Sequence, residues 1–189
     1  MNRHPAGWWR RNAWGLILVF PLLGAALAGP FFQEAKVYLE DPTSPHVPVT
    51  AARGGWVTYA AARIRFDELT ELTSPADRSG KPVDLAGGKV WQAKVTFDTK
   101  EEDGLGGCTV YLEDASARRY SDRPAELTAV NLPTGSAGCT RPVKPGASAP
   151  PAGQYQLSFF FLLPRGATPA AVFVGVPTSY PAYAHLPRP

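Results

Sequence analysis

Cys108 and Cys139 are the two residues of this chain whose chemistry is most sharply defined. In an oxidising compartment an even pair reads first as a disulfide. Closing that loop of about 30 residues is worth about 3–4 kcal/mol in the chain-entropy account. Two free reactive thiols are the alternative. Metal ligation needs more partners: His4, His46 and His185 are spaced neither with a cysteine nor with one another.

Four further groupings invite a chemical reading. Gly135-Ser136-Ala137-Gly138 resembles a nucleophile elbow, but it lacks the G-x-S-x-G spacing and a strand–turn–helix setting. Asp98, Glu101, Glu102 and Asp103 before Gly104 could offer oxygens to calcium, yet they lack the alternating spacing of a calcium loop and read as a solvated hairpin tip. Asp67, Glu68 and Glu71 could pair for acid–base work, although their alternation with Leu69 and Leu72 suits the wet face of a strand. Arg118, Arg119 and Arg123 with Tyr120 could take an anionic ligand, and equally form a charged edge that discourages sheet-to-sheet association. None is a complete constellation. No catalytic residue, metal or cofactor is expected.

The elements that must position these residues are strands. From Arg63 the chain alternates, with Ile64 and Phe66 on one face and Arg63, Arg65 and Asp67 on the other. Lys89 to Asp98 alternates cleanly, with Trp91, Ala93, Val95 and Phe97 as its inward row. Cys108 to Asp114 follows, with Cys108, Val110 and Leu112 on one face, then a short strand at Arg118-Arg119-Tyr120. The stretch from Pro124 to Pro151 is loop-like. Gln154 to Leu163 begins with alternation and turns continuously apolar, as a central strand does. Val172 to Val176 is a further strand, and Tyr180 to Leu186 a candidate edge. No sustained helical period follows residue 32, though short helical turns fit near Pro124–Leu127 and Thr168–Ala171. About six or seven short strands with turns between them predict an all-β, immunoglobulin-like antiparallel sandwich. In it Trp91, Val95 and Phe97 should face Val110 and Leu112, with Leu157, Phe159 and Phe161 opposite them. Such a core is filled and leaves no room for a substrate.

Before this domain the chain carries Arg3, Arg10 and Arg11, and then no ionisable side chain from Asn12 to Phe32. Residues 13–32 are about 20 long, roughly 30 Å as a helix, enough to cross a hydrocarbon core. The arginines are expected to stay in the cytoplasm, with Trp8, Trp9 and Trp14 at the headgroup level. Two readings stand: an uncleaved anchor, favoured by the uncharged run through Phe32, or a signal peptide cut after Ala28 in Ala26-Leu27-Ala28. No cysteine follows the run to carry a lipid anchor. The expected organisation is 1–32 flank and anchor, 33–53 extended linker, and 54–189 sandwich ectodomain outside the cytoplasm. The product is then a single-pass membrane protein, or a secreted one if cut.

The formal charge of +3 equals the three arginines of the N-terminal flank, so the exported part is balanced and a nucleic-acid stripe is not supported.

The order of strands carries a resemblance. A Trp56-Val57-x-Tyr59 opening, V-W-Q-A-K-V-x-F from Val90, and C-x-V-x-L-E-D from Cys108 precede an arginine–tyrosine turn and a second cysteine. A proline–glycine stretch (Pro145-Gly146, Pro150 to Gly153) then leads into Y-Q-L-S-F-F-F-L-L-P. Residues 54–176 resemble the telokin-like, immunoglobulin-type domains of secreted or membrane-anchored actinobacterial proteins, with Leu112, Asp114, Tyr120 and Leu163-Pro164 at the matching points. Ala115-Ser116-Ala117 departs from the glycine common after "L-x-D" in that group. The resemblance implies a fold and no activity.

The function class favoured is therefore a non-enzymatic interaction or structural module, tethered to the bilayer through residues 13–32 and meeting a protein or cell-envelope partner. The alternative is a ligand-binding or hydrolytic envelope enzyme with a loop-built site. A third is an accessory subunit of an envelope complex, with Gly15, Gly24 and Gly29 allowing close helix approach.

Overall fold

A computed structural model of the chain describes residues 12, 13, 15, 19, 22–24, 32, 36, 41, 43–100, 105–133, 138–141 and 153–189. It divides into two units, Met1–Asp41 and Pro42–Pro189. In the first unit the described residues from Asn12 to Lys36 are helical, and Val19, Leu22, Leu23 and Phe32 are exposed. Among the described residues no helix is long and apolar enough to cross a membrane. Most of the stretch 13–32, read above as an anchor, lies outside the described residues.

The second unit is built from β1 (Val47–Thr50), β2 (Trp56–Tyr59), β3 (Ala62–Leu72), β4 (Gly88–Thr99), β5 (Thr109–Asp114), β6 (Arg119–Ser121), β7 (Gly153–Pro164), β8 (Pro169–Gly175) and β9 (Ala182–Pro187). A larger sheet has the order β1-β9-β8-β5-β6, and a smaller one β2-β3-β4-β7. The pairing of β4 with β7 shows why these sequences make strands. They are equally long and paired without interruption from Gly88↔Pro164 to Thr99↔Gly153. Along β4 the inward row Ala93, Val95, Phe97 and Thr99 is buried, while Gln92 and Lys94 on the other face keep contact with water.

The interior is one apolar cluster. Ile64, Phe66, Val95, Phe97, Leu157 and Phe159 of the smaller sheet meet Val110, Leu112, Val172, Val174, Ala184 and Leu186 of the larger. Tyr59 ties the two sheets at one end. Its hydroxyl accepts the Val176 N–H at 2.9 Å and donates to the Ala182 carbonyl at 2.9 Å, so a group that burial would leave costly is satisfied twice.

A second, smaller cluster lies outside the sandwich. Phe160 points away from Phe159 and Phe161, and with Val90 it is covered by Leu127 and Val130. This explains the continuous apolar run in β7: its C-terminal half is buried on both faces. Within the stretch predicted as loop, Ala125–Leu127 is a short 3-10 turn that supplies the cover. Thr168–Ala171 is not helical, because Pro169 already begins β8.

Four expectations need correction. Leu157, Phe159 and Phe161 do not lie across the sandwich from Trp91, Val95 and Phe97. They are in the neighbouring strand of the same sheet, with Trp91↔Phe161, Ala93↔Phe159 and Val95↔Leu157 paired. The residues opposite come from β5, β8 and β9. Nor is Trp91 fully buried; it packs on the rim of the cluster. The sandwich is not wholly antiparallel: β1 runs parallel to β9, which places β9 between β1 and β8 instead of at an edge. Finally, Val47–Thr50 falls within the stretch read as linker, yet its backbone is already part of a sheet.

Candidate functional site

Cys108, immediately before β5, is bonded to Cys139 with the Cα atoms 5.6 Å apart, and both residues are buried. No cysteine is free. The bond holds the 138–141 segment against the strand, and the Tyr155 hydroxyl adds a second tie by donating to the Cys139 carbonyl at 2.7 Å. Gly138 adopts φ 75°, and a Cβ there would meet the Cys108 carbonyl oxygen at 3.3 Å, so the turn into the bond suits glycine.

The other candidates do not converge. His46 Nδ1 lies 2.8 Å from the Ser44 carbonyl and His185 Nε2 3.5 Å from Glu113. Among the described residues no three of His, Cys, Asp or Glu gather where a metal could sit. His4, Glu101–Gly104 and Gly135-Ser136-Ala137 lie outside the described residues.

Asp67 and Glu68 stand side by side on the polar face of the smaller sheet. The register shifts between Phe66 and Glu68, so a β-bulge turns two consecutive carboxylates to one side. Each has its own partners. Asp67 accepts from Thr96, from Gln156 Nε2 at 2.9 Å and from Arg65 Nε at 2.6 Å. Glu68 pairs with Lys94 at 2.7 Å, and Glu71 with Lys89 at 2.9 Å. Burial pushes the Asp67 carboxyl up, but the Thr96, Gln156 and Arg65 donors outweigh it and hold it below the usual range. The Lys94 ammonium likewise lowers Glu68. Carboxyls fixed in the charged form are poor general acids.

The arginine group separates into three. Arg118 turns to Asp114, whose carboxylate is 2.8 Å from Arg118 Nη2 and also accepts the Tyr120 hydroxyl at 3.0 Å. Burial would raise Asp114, yet the Arg118 N–H and guanidinium, the Ser116 N–H and the Tyr120 hydroxyl together hold it at about 2. This is a structural knot that closes the β5–β6 hairpin. Arg123 donates to the Pro133 carbonyl at 2.7 Å and lies over Phe160.

Arg119 alone reaches onto the outer face of the larger sheet, and there it meets a group of residues that the strand pattern does not single out. Its guanidinium lies 4.2 Å from the Phe173 ring centroid and 5.2 Å from that of Tyr183. Phe173 stacks on Tyr183 at 4.5 Å and meets Tyr111 edge-on at 5.6 Å. Glu113 anchors Arg119 at 3.2 Å and approaches His185 at 3.5 Å. Gly175 permits this packing: a Cβ would stand 2.9 Å from both the Phe173 ring and the Tyr180 hydroxyl. The rings, a guanidinium, a carboxylate and an imidazole thus form one cluster spanning β6, β5, β8 and β9, with Phe173 and Tyr183 largely covered. Alternation could have shown Tyr111 and Glu113 on one face; that Phe173 and Tyr183 join them depends on strand order.

No protein-family model matches the chain, and no curated protein matches it. Among solved structures it is similar to MPT63, a secreted protein of Mycobacterium tuberculosis, with 18% identity and a TM-score of 0.46 over 73% of this chain and 97% of that one. It is also similar to an uncharacterised β-sandwich protein of Clostridium difficile 630, with 10% identity and a TM-score of 0.41 over 78% of this chain and 97% of that one. The β-sandwich itself rests on the strand registers described above, and the telokin-like likeness stays one of strand pattern.

Proposed function

We propose that this chain is a non-enzymatic interaction module of the cell envelope. Its sandwich is held outside the cytoplasm by residues 13–32 and acts by contact with a protein or envelope partner through the Tyr111–Phe173–Tyr183 face. The observation that carries this reading is the packing between the sheets. Phe66, Phe97, Leu112, Phe159, Phe161 and Leu163 are each 2% exposed or less, so large side chains occupy the space where a barrel or sandwich would hold a substrate. Asp67, Glu68, Glu71 and Glu113 are paired with basic side chains on the sheet faces, and the buried Asp114 is paired with Arg118. The Cys108–Cys139 bond supports an oxidising location. The arginine flank supports the orientation.

Protease added to cells with an opened outer envelope and an intact membrane tests the placement. Removal of the domain with survival of a short N-terminal fragment is the expected result. A domain that stays protected contradicts it, and a mature N-terminus at Gly29 replaces the tether by secretion.

A further inference from the structure

Asp122 is a half-buried carboxyl outside the Arg119–Phe173–Tyr183 cluster just described. It follows β6 where the chain passes from the larger sheet to the outer edge of β7. Its Oδ1 accepts the Phe160 N–H at 2.7 Å, and the Arg123 N–H donates to the Phe160 carbonyl at 2.8 Å. Burial pushes the Asp122 carboxyl above its ordinary value, against the lowering effects of the Phe160 N–H and the Arg123 charge. Among the described residues no cation stands within ion-pair distance of it. Arg123, next in the chain, is turned away: its guanidinium is bonded to Pro133 and lies 5.0 Å from the Phe160 ring centroid.

Asp122 lines a cleft of 200 Å³ between the sheets' edges, beside the disulfide. That is below the roughly 300–1,000 Å³ of sites for drug-sized molecules, so the cleft takes one side-chain-sized group. Val110, Phe159 and Cys108 give it apolar walls, and Thr109, Tyr111, Ser121 and Gly138 complete its lining. An apolar slot with a carboxylate that forms no ion pair among the described residues is complementary to a short alkyl chain ending in a positive charge. A neutral hydroxyl would leave the half-buried charge without a counter-ion, and an anion would be repelled. We propose that this cleft binds a primary alkylammonium group, of the kind a lysine side chain carries, with Asp122 as its counter-ion.

The test titrates the full-length protein separately with n-butylammonium chloride, Nα-acetyl-lysine amide and Nα-acetyl-norleucine amide, following the Phe160 and Asp122 backbone amides by NMR. Saturable shifts with butylammonium but none with the norleucine compound are expected. Binding of the lysine compound as well extends the site to peptide lysines, and its failure to bind restricts the site to free amines. Asp122→Asn, which keeps an oxygen acceptor for the Phe160 N–H, should bind about tenfold more weakly or worse. If that variant does not fold, the wild-type Asp122 carboxyl is titrated by carbon NMR with and without saturating butylammonium, which should lower its pKa. The proposal is overturned by any of four results: no saturable shift with butylammonium, equal binding of the norleucine compound, an Asn variant that binds like the parent, or a carboxyl whose titration the amine does not move.

Discussion

The Arg119 guanidinium covers Phe173, with its central carbon 4.2 Å from the ring centroid, and Phe173 is only 1% exposed although it stands on the outer face of a sheet. Among the described residues it is a side chain that lies over this ring. A long side chain from β6, held by Glu113, crosses β5 to lie on it. The aliphatic stem of an arginine shields apolar surface while its charged head stays near water.

Removing that cover should therefore expose the rings more than it unfolds the protein. Arg119→Ala is expected to cost about 1 kcal/mol, the size of a partly exposed cation–π contact. Binding of a hydrophobic dye to the folded state should rise. Arg119→Lys should restore less than half the loss, because a compact ammonium lacks the flat guanidinium that stacks on a ring. An Arg119→Ala protein with parental stability and dye binding would show that the contact is incidental.

The core makes a graded prediction. Phe159→Ala should cost about 3–5 kcal/mol, since the ring is fully enclosed and its loss leaves a cavity. Trp91→Ala should cost less, because the indole sits on the rim of the cluster. Urea midpoints of the two variants measure the order directly.

Replacing Cys108 and Cys139 together by alanine should lower stability by about 3 kcal/mol. Far-UV circular dichroism should stay close to the parent, because the bond secures the 138–141 segment and contributes no strand pairing. Loss of the sheet signal would mean that the bond holds the sandwich itself.

Acid should weaken the fold in a defined window. Asp114 is held at about 2 against an ordinary 3.8, so its contribution is complete above the higher value and is lost as pH falls through the lower. Asp67, Glu68 and Asp77 are lowered too and add in the same direction. Urea midpoints taken from about pH 4 to pH 2 should fall, and Asp114→Asn should soften that slope while being less stable at neutral pH. Asp122 has the opposite sign. Burial raises it, so its charged form opposes folding at neutral pH, and Asp122→Asn should be at least as stable as the parent there.

Much of this architecture is legible in the sequence because a strand's period of two assigns each residue to a face. Trp91, Ala93, Val95 and Phe97 read as one inward row, and Val110 with Leu112 as another, and so they are. Alternation does not say which strand lies beside which. Placing Phe159 across from Phe97 and placing it next to Ala93 satisfy the same pattern, and only the register decides. The extra residue at Asp67 is hidden for a related reason: a bulge is a property of a pair of strands. The Arg119–Phe173 contact is harder still, since it joins residues from strands that are not neighbours. The disulfide is legible from an even pair of cysteines in a part of the chain read as exported.

Site-specific photo-cross-linking in living cells tests the contact function most directly. A photoreactive phenylalanine analogue placed at Thr50 or Ser121, on the rim of the aromatic face, should give a discrete cross-linked product. The same analogue at Gln92 or Ser158, on the polar face of the smaller sheet, should give none. Arg119→Ala should change the yield from the first pair without altering the level of folded protein. Products that are equally strong from both faces, or absent from both, would contradict a module that works through the Tyr111–Phe173–Tyr183 surface.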